Sequence, residues 1–197
     1  MKYPDLSLEN ELSGIVAGVD EVGRGALAGP VVSAAVVFNN REIAISNIRD
    51  SKRLSPKQRK ILYHDITLNA KVALGISSIQ EINAYNILEA TKLSMKRALI
   101  NLNLEIDYAL VDGNQPPKVK WQTQSIINGD NISISIAAAS IIAKVTRDEL
   151  MQELHDEFPQ YNWYQNKGYG TKEHINAIQN LGVTIHHRKN FCTKFIP

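Results

Sequence analysis

Three carboxylate positions follow strand-like runs in this chain, and one of them is double. Asp20-Glu21 comes directly after Ile15 to Val19, and Asp112 directly after Tyr108 to Val111. Asp130 follows Gln124 to Ile127, with Gly129 just before it. Acids at like-directed strand ends can converge on one edge of a sheet, where ligands of open α/β sheets collect. Clustered carboxylates repel one another, and hard cations with oxygen ligands, such as Mg²⁺ or Mn²⁺, neutralise them. Four carboxylates match two divalent ions. Two ions about 4 Å apart suit in-line displacement at phosphorus, one activating water and the other the leaving oxygen. The plainer reading is that acids after strands are turn residues. Alone, Asp112-Gly113-Asn114 is better read that way, and Asp130 can be an acid at a helix start. Asp20-Glu21 resists it. Neighbouring strand residues face opposite ways, so both acids reach one site only if the strand bends or ends there, as the nearby glycines allow.

Gly23-Arg24-Gly25 follows at once. Glycines let backbone amides approach a ligand, and an arginine fork binds phosphate; a flexible turn with a solvated arginine explains the residues equally well. Lys52, in Asp50-Ser51-Lys52, could offer an amine to phosphate, although an exposed loop is the simpler account. Lys144, on the apolar half of a helix, could snorkel or point into the site. Tyr169 stands between Gly168 and Gly170 with Lys167 and Lys172 nearby; it could stack on a base or sugar, or anchor its loop. His64, His155, His174, His186 and His187 have no metal-ligand spacing. His155 and His174 read as surface helix residues, with no part in chemistry. No nucleophile arrangement stands out around the single cysteine, Cys192, and no P-loop is present.

The elements that must carry these residues read as follows. Gly14 to Val19 and Val31 to Phe38 form a hairpin. Ser55, Pro56 and Gln58 open a helix with a capping box. Lys71 to Ser77 alternates like a third strand. Ser78 and Glu81 cap a long helix, with Ala84, Ile87, Leu88, Thr91, Met95, Ala98, Leu99 and Leu102 as one continuous face. Tyr108 to Val111 and Gln124 to Ile127 are strands four and five. Ser133 to Phe158 is a second long helix. Its first half is small and apolar, its second half (Arg147, Asp148, Glu149, Glu153) charged and solvated, and Pro159 stops it. Thr171 caps a last helix that Gly182 ends. This is one α/β layer fold, a three-strand meander followed by helix–strand–strand–helix.

The 197 residues suffice for one buried core, and 44% hydrophobic with 21% charged content is ordinary for a soluble protein. A net charge of +2 permits a nucleic-acid partner without arguing for one. One cysteine excludes an internal disulfide and suits a reducing compartment. The polar start and the lack of any membrane-length apolar run make the cytoplasm the default. Nothing suggests more than a monomer.

Taken together, these motifs closely resemble bacterial ribonuclease HII, of the type 2 ribonuclease H family. The matching pieces are residues 18–25, Leu27-Ala28-Gly29-Pro30-Val31-Val32, Asp50-Ser51-Lys52, residues 110–114, Gly129-Asp130, residues 135–148 and Lys167-Gly168-Tyr169-Gly170-Thr171, in the family's order over nearly the whole chain. Ile185-His186-His187-Arg188 departs slightly, with one extra histidine. The resemblance implies a ribonuclease H-like fold: a mixed five-stranded sheet flanked by helices, with a small C-terminal helical extension. It implies one catalytic domain over 1–197, with 160–197 contacting substrate. It implies endonucleolytic cleavage of RNA in RNA–DNA hybrids and incision 5′ of single ribonucleotides in duplex DNA, with Mg²⁺ or Mn²⁺ as cofactor. Asp20, Glu21, Asp112 and Asp130 would be the catalytic metal ligands. Gly23, Arg24, Gly25 and Tyr169 would read the RNA-to-DNA junction, with Lys52 and Lys144 as weaker carry-overs. A replication-clamp partner for the tail, Phe191 to Pro197, has no clear motif behind it.

Three rivals stay open. Another nuclease or strand-transfer enzyme of this fold would differ in substrate. A non-catalytic nucleic-acid module would be indifferent to EDTA. A nucleotide-binding protein would need the lysine-plus-Ser/Thr element that is missing here.

Overall fold

The computed structural model describes residues 3–40 and 47–196; Met1 and Pro197, the outer ends of the two terminal stretches, lie outside the described residues. After a short α1 (Ser7–Glu11), β1 (Val16–Val22), β2 (Val31–Phe38) and β3 (Ala70–Ser77) form the expected antiparallel meander. The helix α2 (Pro56–Asn69) lies between β2 and β3, and α3 (Ile79–Asn101) leads from β3 to β4 (Tyr108–Asp112). β4 and β5 (Gln122–Ile126) add in parallel on the other side of β1, giving the order β3-β2-β1-β4-β5. α4 (Ile134–Glu157) follows, then α5 (Trp163–Asn166), α6 (Lys172–Leu181) and α7 (Lys189–Cys192). It is a mixed five-stranded sheet with flanking helices. None of the described helices is long and apolar enough to cross a membrane.

The two long helices cover the two faces. Met95, Ala98 and Leu99 of α3 pack on Ala17, Val19, Ala109 and Val111. The small residues Ala137 to Ala139 of α4 pack on Ala34 and Val36, and Ile136 on Val16 and Leu110. Small residues let backbones touch: a Cβ on Gly18 would stand 2.1 Å from the Ser135 carbonyl carbon. α4 is therefore seated directly on β1, the strand that carries Asp20.

The predicted caps hold. Ser55 with Gln58 and Ser78 with Glu81 both form complete capping boxes, Ser133 caps α4, and Thr171 caps α6. Glu9, buried on α1, accepts from Ser133 Oγ (2.5 Å) and Ser135 N (3.1 Å), which pins the start of α4 just beyond Asp130. The continuous face expected for α3 fails in its first turns. Asn86 sits at φ 69°, and its Oδ1 accepts from Leu88 N and Glu89 N, so the helix stops and is capped afresh. Ala84 is exposed as a result, and Ile82 takes its place in the core.

Candidate active site

β1 does not end where its apolar run ends. Its antiparallel ladder to β2 continues through Asp20↔Ala34, Glu21↔Ser33 and Val22↔Val32, whereas its parallel ladder to β4 stops at Val19↔Val111. Asp20 and Glu21 are therefore strand residues with one open flank. The next step of the same register sets Asp112 beside Asp20 on neighbouring strands, which lie about 4.8 Å apart. Both continue the row of Gly18 and Leu110, which faces α4. Glu21 alternates to the other face and reaches the same place only around the open flank. Asp130 comes in from the turn Gly129–Asn131 at the start of α4. That turn is tied to β4, because Gly129 N–H donates to Asp112 Oδ1 at 2.7 Å.

The four acids feel one another. Burial, then the negative charges of Glu21, Asp112 and Asp130, hold the Asp20 carboxyl well above the ordinary range. Burial raises Glu21 as well, against the pull of Arg24. Burial and the charges of Asp50 and Asp112 raise Asp130. Burial alone would lower the Lys52 ammonium, but Asp50, Asp20, Asp130 and Asp112 together raise it. Lys52 thus stands in the field of the acids, as Arg24 does beside Glu21, on a turn fixed to α4 by Ser51 N–H donating to Ser140 Oγ (3.1 Å). Lys144 goes elsewhere: its Nζ pairs with Asp148 at 2.6 Å.

Could this cluster hold a divalent ion? Among the described residues no three acidic, imidazole or thiol groups stand ready as a cage. Each acid instead accepts from a local donor: Asp20 from Glu21 N (2.7 Å), Glu21 from Arg24 Nη1 (3.2 Å), Asp112 from Gly129 N, and Asp130 from Asn131 Nδ2 (2.7 Å). One oxygen of each carboxylate remains outside these bonds. Glu21 Oε2 is buried with no hydrogen-bond partner at all. An orphaned buried acceptor beside mutually repelling carboxylates is the chemistry a hard cation satisfies, so the donor set fits such an ion.

The second group of predicted residues meets around two arginines that the sequence reading misplaced. Arg147, expected on a solvated helix face, is fully buried. It donates to Pro30 O, Lys167 O and Ala28 O at 2.8–3.0 Å. Its guanidinium lies 5.5 Å from the centre of the Tyr169 ring. Gly23, at φ +95°, passes so close that a Cβ there would stand 2.2 Å from Arg147 Nε. Arg188, also fully buried, donates to Gly29 O and Arg24 O at 2.9 Å each. The Gly23-Arg24-Gly25 turn and the Tyr169 loop are thus braced into one unit, and Gly168 O accepts from Leu27 N and Ala28 N. A Cβ added to Gly25 would meet nothing within 4 Å, so the tip is open.

His174 corrects another expectation: it is buried, not on the surface. Its Nδ1–H donates to Tyr169 O (2.9 Å), so its Nε2 accepts, from Trp163 Nε1–H (3.0 Å) and from His187 Nε2–H (3.1 Å). His187 Nδ1 then accepts from Thr184 N–H (2.9 Å). Both rings are neutral in this network. Burial and the neighbouring His174 and His186 push His187 down to about 3. An unfolded histidine protonates near 6.5, so between these values the unfolded chain binds the extra proton and folding loses stability as pH falls. The contribution is complete above about pH 6.5. Between pH 7.5 and 5, wild type should lose about 2 kcal/mol relative to His187→Gln, read from urea unfolding. Parallel pH curves for the two proteins would show that His187 does not carry this dependence.

Comparison with known proteins agrees with this architecture. The Ribonuclease HII family model matches residues 17–195. The ribonuclease HII of Wolbachia pipientis from Culex pipiens (strain wPip) is 71% identical over 192 residues, covering 98% of each chain. In structure, the chain is similar to ribonuclease H2 from Pyrococcus horikoshii OT3, with TM-score 0.77 at 24% identity over 92% of this chain and 96% of that one. It is also similar to Bst ribonuclease HIII in complex with Mn²⁺, with TM-score 0.69 at 21% identity over 85% and 63% respectively.

Proposed function

The chain belongs to the ribonuclease HII family, metal-dependent endoribonucleases that act on RNA–DNA hybrids, and from that premise we propose that it also nicks duplex DNA on the 5′ side of a single embedded ribonucleotide. The products would carry 3′-hydroxyl and 5′-phosphate ends. The observation that carries the reading is the register row that sets Asp112 beside Asp20, with Glu21 next in β1 and Asp130 next to the Gly129 whose N–H donates to Asp112. Asp20 and Asp112 would be shared by two Mg²⁺ or Mn²⁺ ions, Asp130 would serve the water side and Glu21 the leaving side. Bound there, the ions would supply Lewis-acid polarisation and an activated water for attack at phosphorus. The chain's own part is to hold four charges together against their repulsion. Lys52 steadies that cluster and stands where a substrate phosphate would arrive.

Telling RNA from DNA requires sensing one 2′-hydroxyl. The N–H groups of Arg24 and Gly25 make no hydrogen bond among the described residues, so they can donate to that hydroxyl. Tyr169, its backbone fixed by His174 and its ring by Arg147, would stack on the next deoxyribose and reject a bulkier ribose. Within residues 160–197, Tyr169 would meet the substrate and Arg188 would brace the turn, which supports reading this segment as a substrate-contacting extension.

The test is gel analysis of a duplex with one ribonucleotide, with Mg²⁺, with Mn²⁺ and with EDTA. A single nick 5′ of the ribonucleotide, absent in EDTA and absent from all-DNA duplex, is expected. An intact substrate in both metals, or cleavage of all-DNA duplex, would overturn the proposal.

A further inference from the structure

Beside the acids, α4 borders a second concavity, a cleft of about 480 Å³ between the first turns of α2, the middle of α4, and α5 with Lys167 just after it. Four cations line it: Arg59 and Lys60 from α2, Lys144 from α4, and Lys167. Two acids line it as well: Asp148, engaged by Lys144 at 2.6 Å and Arg59 at 3.8 Å, and the exposed Glu149, so cations stay in excess. Arg59 is further held by Ser51 O and Leu54 O, so its position is set by the fold. Lys60 and Lys167 have no ion pair among the described residues. Lys167 Nζ sits 5.0 Å from the centre of the exposed Tyr164 ring. Burial, against the pull of Asp148, and then the positive charges of Lys144, Arg147 and Arg59 make its ammonium harder to keep than usual. Like charges gathered in a half-open cleft are relieved by an anion.

The location decides which anion. Ser140, which anchors the turn bearing Lys52, precedes Lys144 by one helical turn and Asp148 by two. The cleft therefore lies about 6 to 12 Å along α4 from Ser140, the level at which the Lys52 turn is anchored. At about 3.4 Å of axial rise per nucleotide, that is roughly two to four steps along a strand. We propose that this cleft is a second phosphate site, in which Lys60, Lys144 and Lys167 hold a backbone phosphate of the bound duplex a few nucleotides from the one that is cut. The inference rests on the substrate class proposed above. It assigns the cleft to setting the register of the duplex, separate from the chemistry.

The test measures hybrid-duplex affinity by fluorescence anisotropy, in EDTA and across a salt series. It compares wild type with Lys60→Gln/Lys167→Gln and with Lys118→Gln/Lys120→Gln. The last pair removes the same charge four and two residues before the Gln122–Ile126 strand, at the end of the sheet opposite Asp112. Each phosphate contact contributes about 0.9 to the slope of log K against log salt. The cleft pair should lower that slope by about one and weaken binding about tenfold at low salt. Turnover at saturating substrate should stay unchanged, and the control pair should leave the slope as in wild type. An unchanged slope in the cleft pair, or an equal drop in both pairs, would overturn the site. Inorganic phosphate, titrated at constant ionic strength, should displace no duplex beyond what chloride does; selective displacement by it would make the cleft a free-anion site instead. A wild type that binds no hybrid at all would overturn the substrate reading, and the salt slopes would then have nothing to report.

Discussion

Asp112→Asn is expected to lower hybrid cleavage by about a thousandfold or more while leaving hybrid binding close to wild type. Asparagine keeps an oxygen that can accept from Gly129 N–H, so the tie between β4 and the Asp130 turn survives. What changes is the charge beside Asp20. A cation held between these two positions, as proposed, would lose one of its anionic partners, and Lewis-acid assistance is worth several kcal/mol, each 1.36 kcal/mol being a factor of ten in rate. The same substitution removes a charge that pushes Asp20, Glu21 and Asp130 upward. The metal-free variant should therefore melt at the same temperature as wild type or higher. Single-turnover cleavage, anisotropy and thermal melts separate the three quantities. Turnover within tenfold of wild type would remove Asp112 from the site.

Arg147→Met should destabilise the fold by about 3 to 5 kcal/mol. Methionine fills much of the volume but leaves the carbonyls of Ala28, Pro30 and Lys167 without their donor, and a buried acceptor left unmet costs about 1 to 3 kcal/mol. For a chain of this length, a kcal/mol shifts the melting temperature by roughly 2 to 4 °C, so a drop of about 10 °C is expected. Arg147→Lys keeps the charge and can reach one carbonyl, so it should fall between. A melt of Arg147→Met within two or three degrees of wild type would show that the brace is dispensable.

The four acids were legible because each sits at the margin of an apolar run, and margins survive in sequence. The exact reach of β1 was not. Whether pairing continues past Val19 depends on β2 alone, since β4 has already parted from it. Caps were legible because they are local: Ser55 with Gln58 and Ser78 with Glu81 need three residues of chain. The Asn86 break was hidden inside an otherwise helical pattern, and asparagine tolerates left-handed backbone better than most residues. Arg147 and His174 were misread for one reason. Their partners, Ala28, Pro30 and Lys167 for the first and Trp163, Tyr169 and His187 for the second, are assembled by the fold. A charged side chain on a helix reads as solvated until the carbonyls that surround it are known.

Gly29 N–H donates to His186 O, Ala28 bridges to His187, and Arg188 holds Leu27, Gly29 and Arg24 by backbone and side chain. The turn after β1 is thus steadied by residues 159 to 164 positions further along the chain. A nascent chain can assemble its meander early, but this turn stays unbraced until that later segment has been made and has folded back. A substitution at Arg188 is therefore felt in the carbonyls of Arg24 and Gly29.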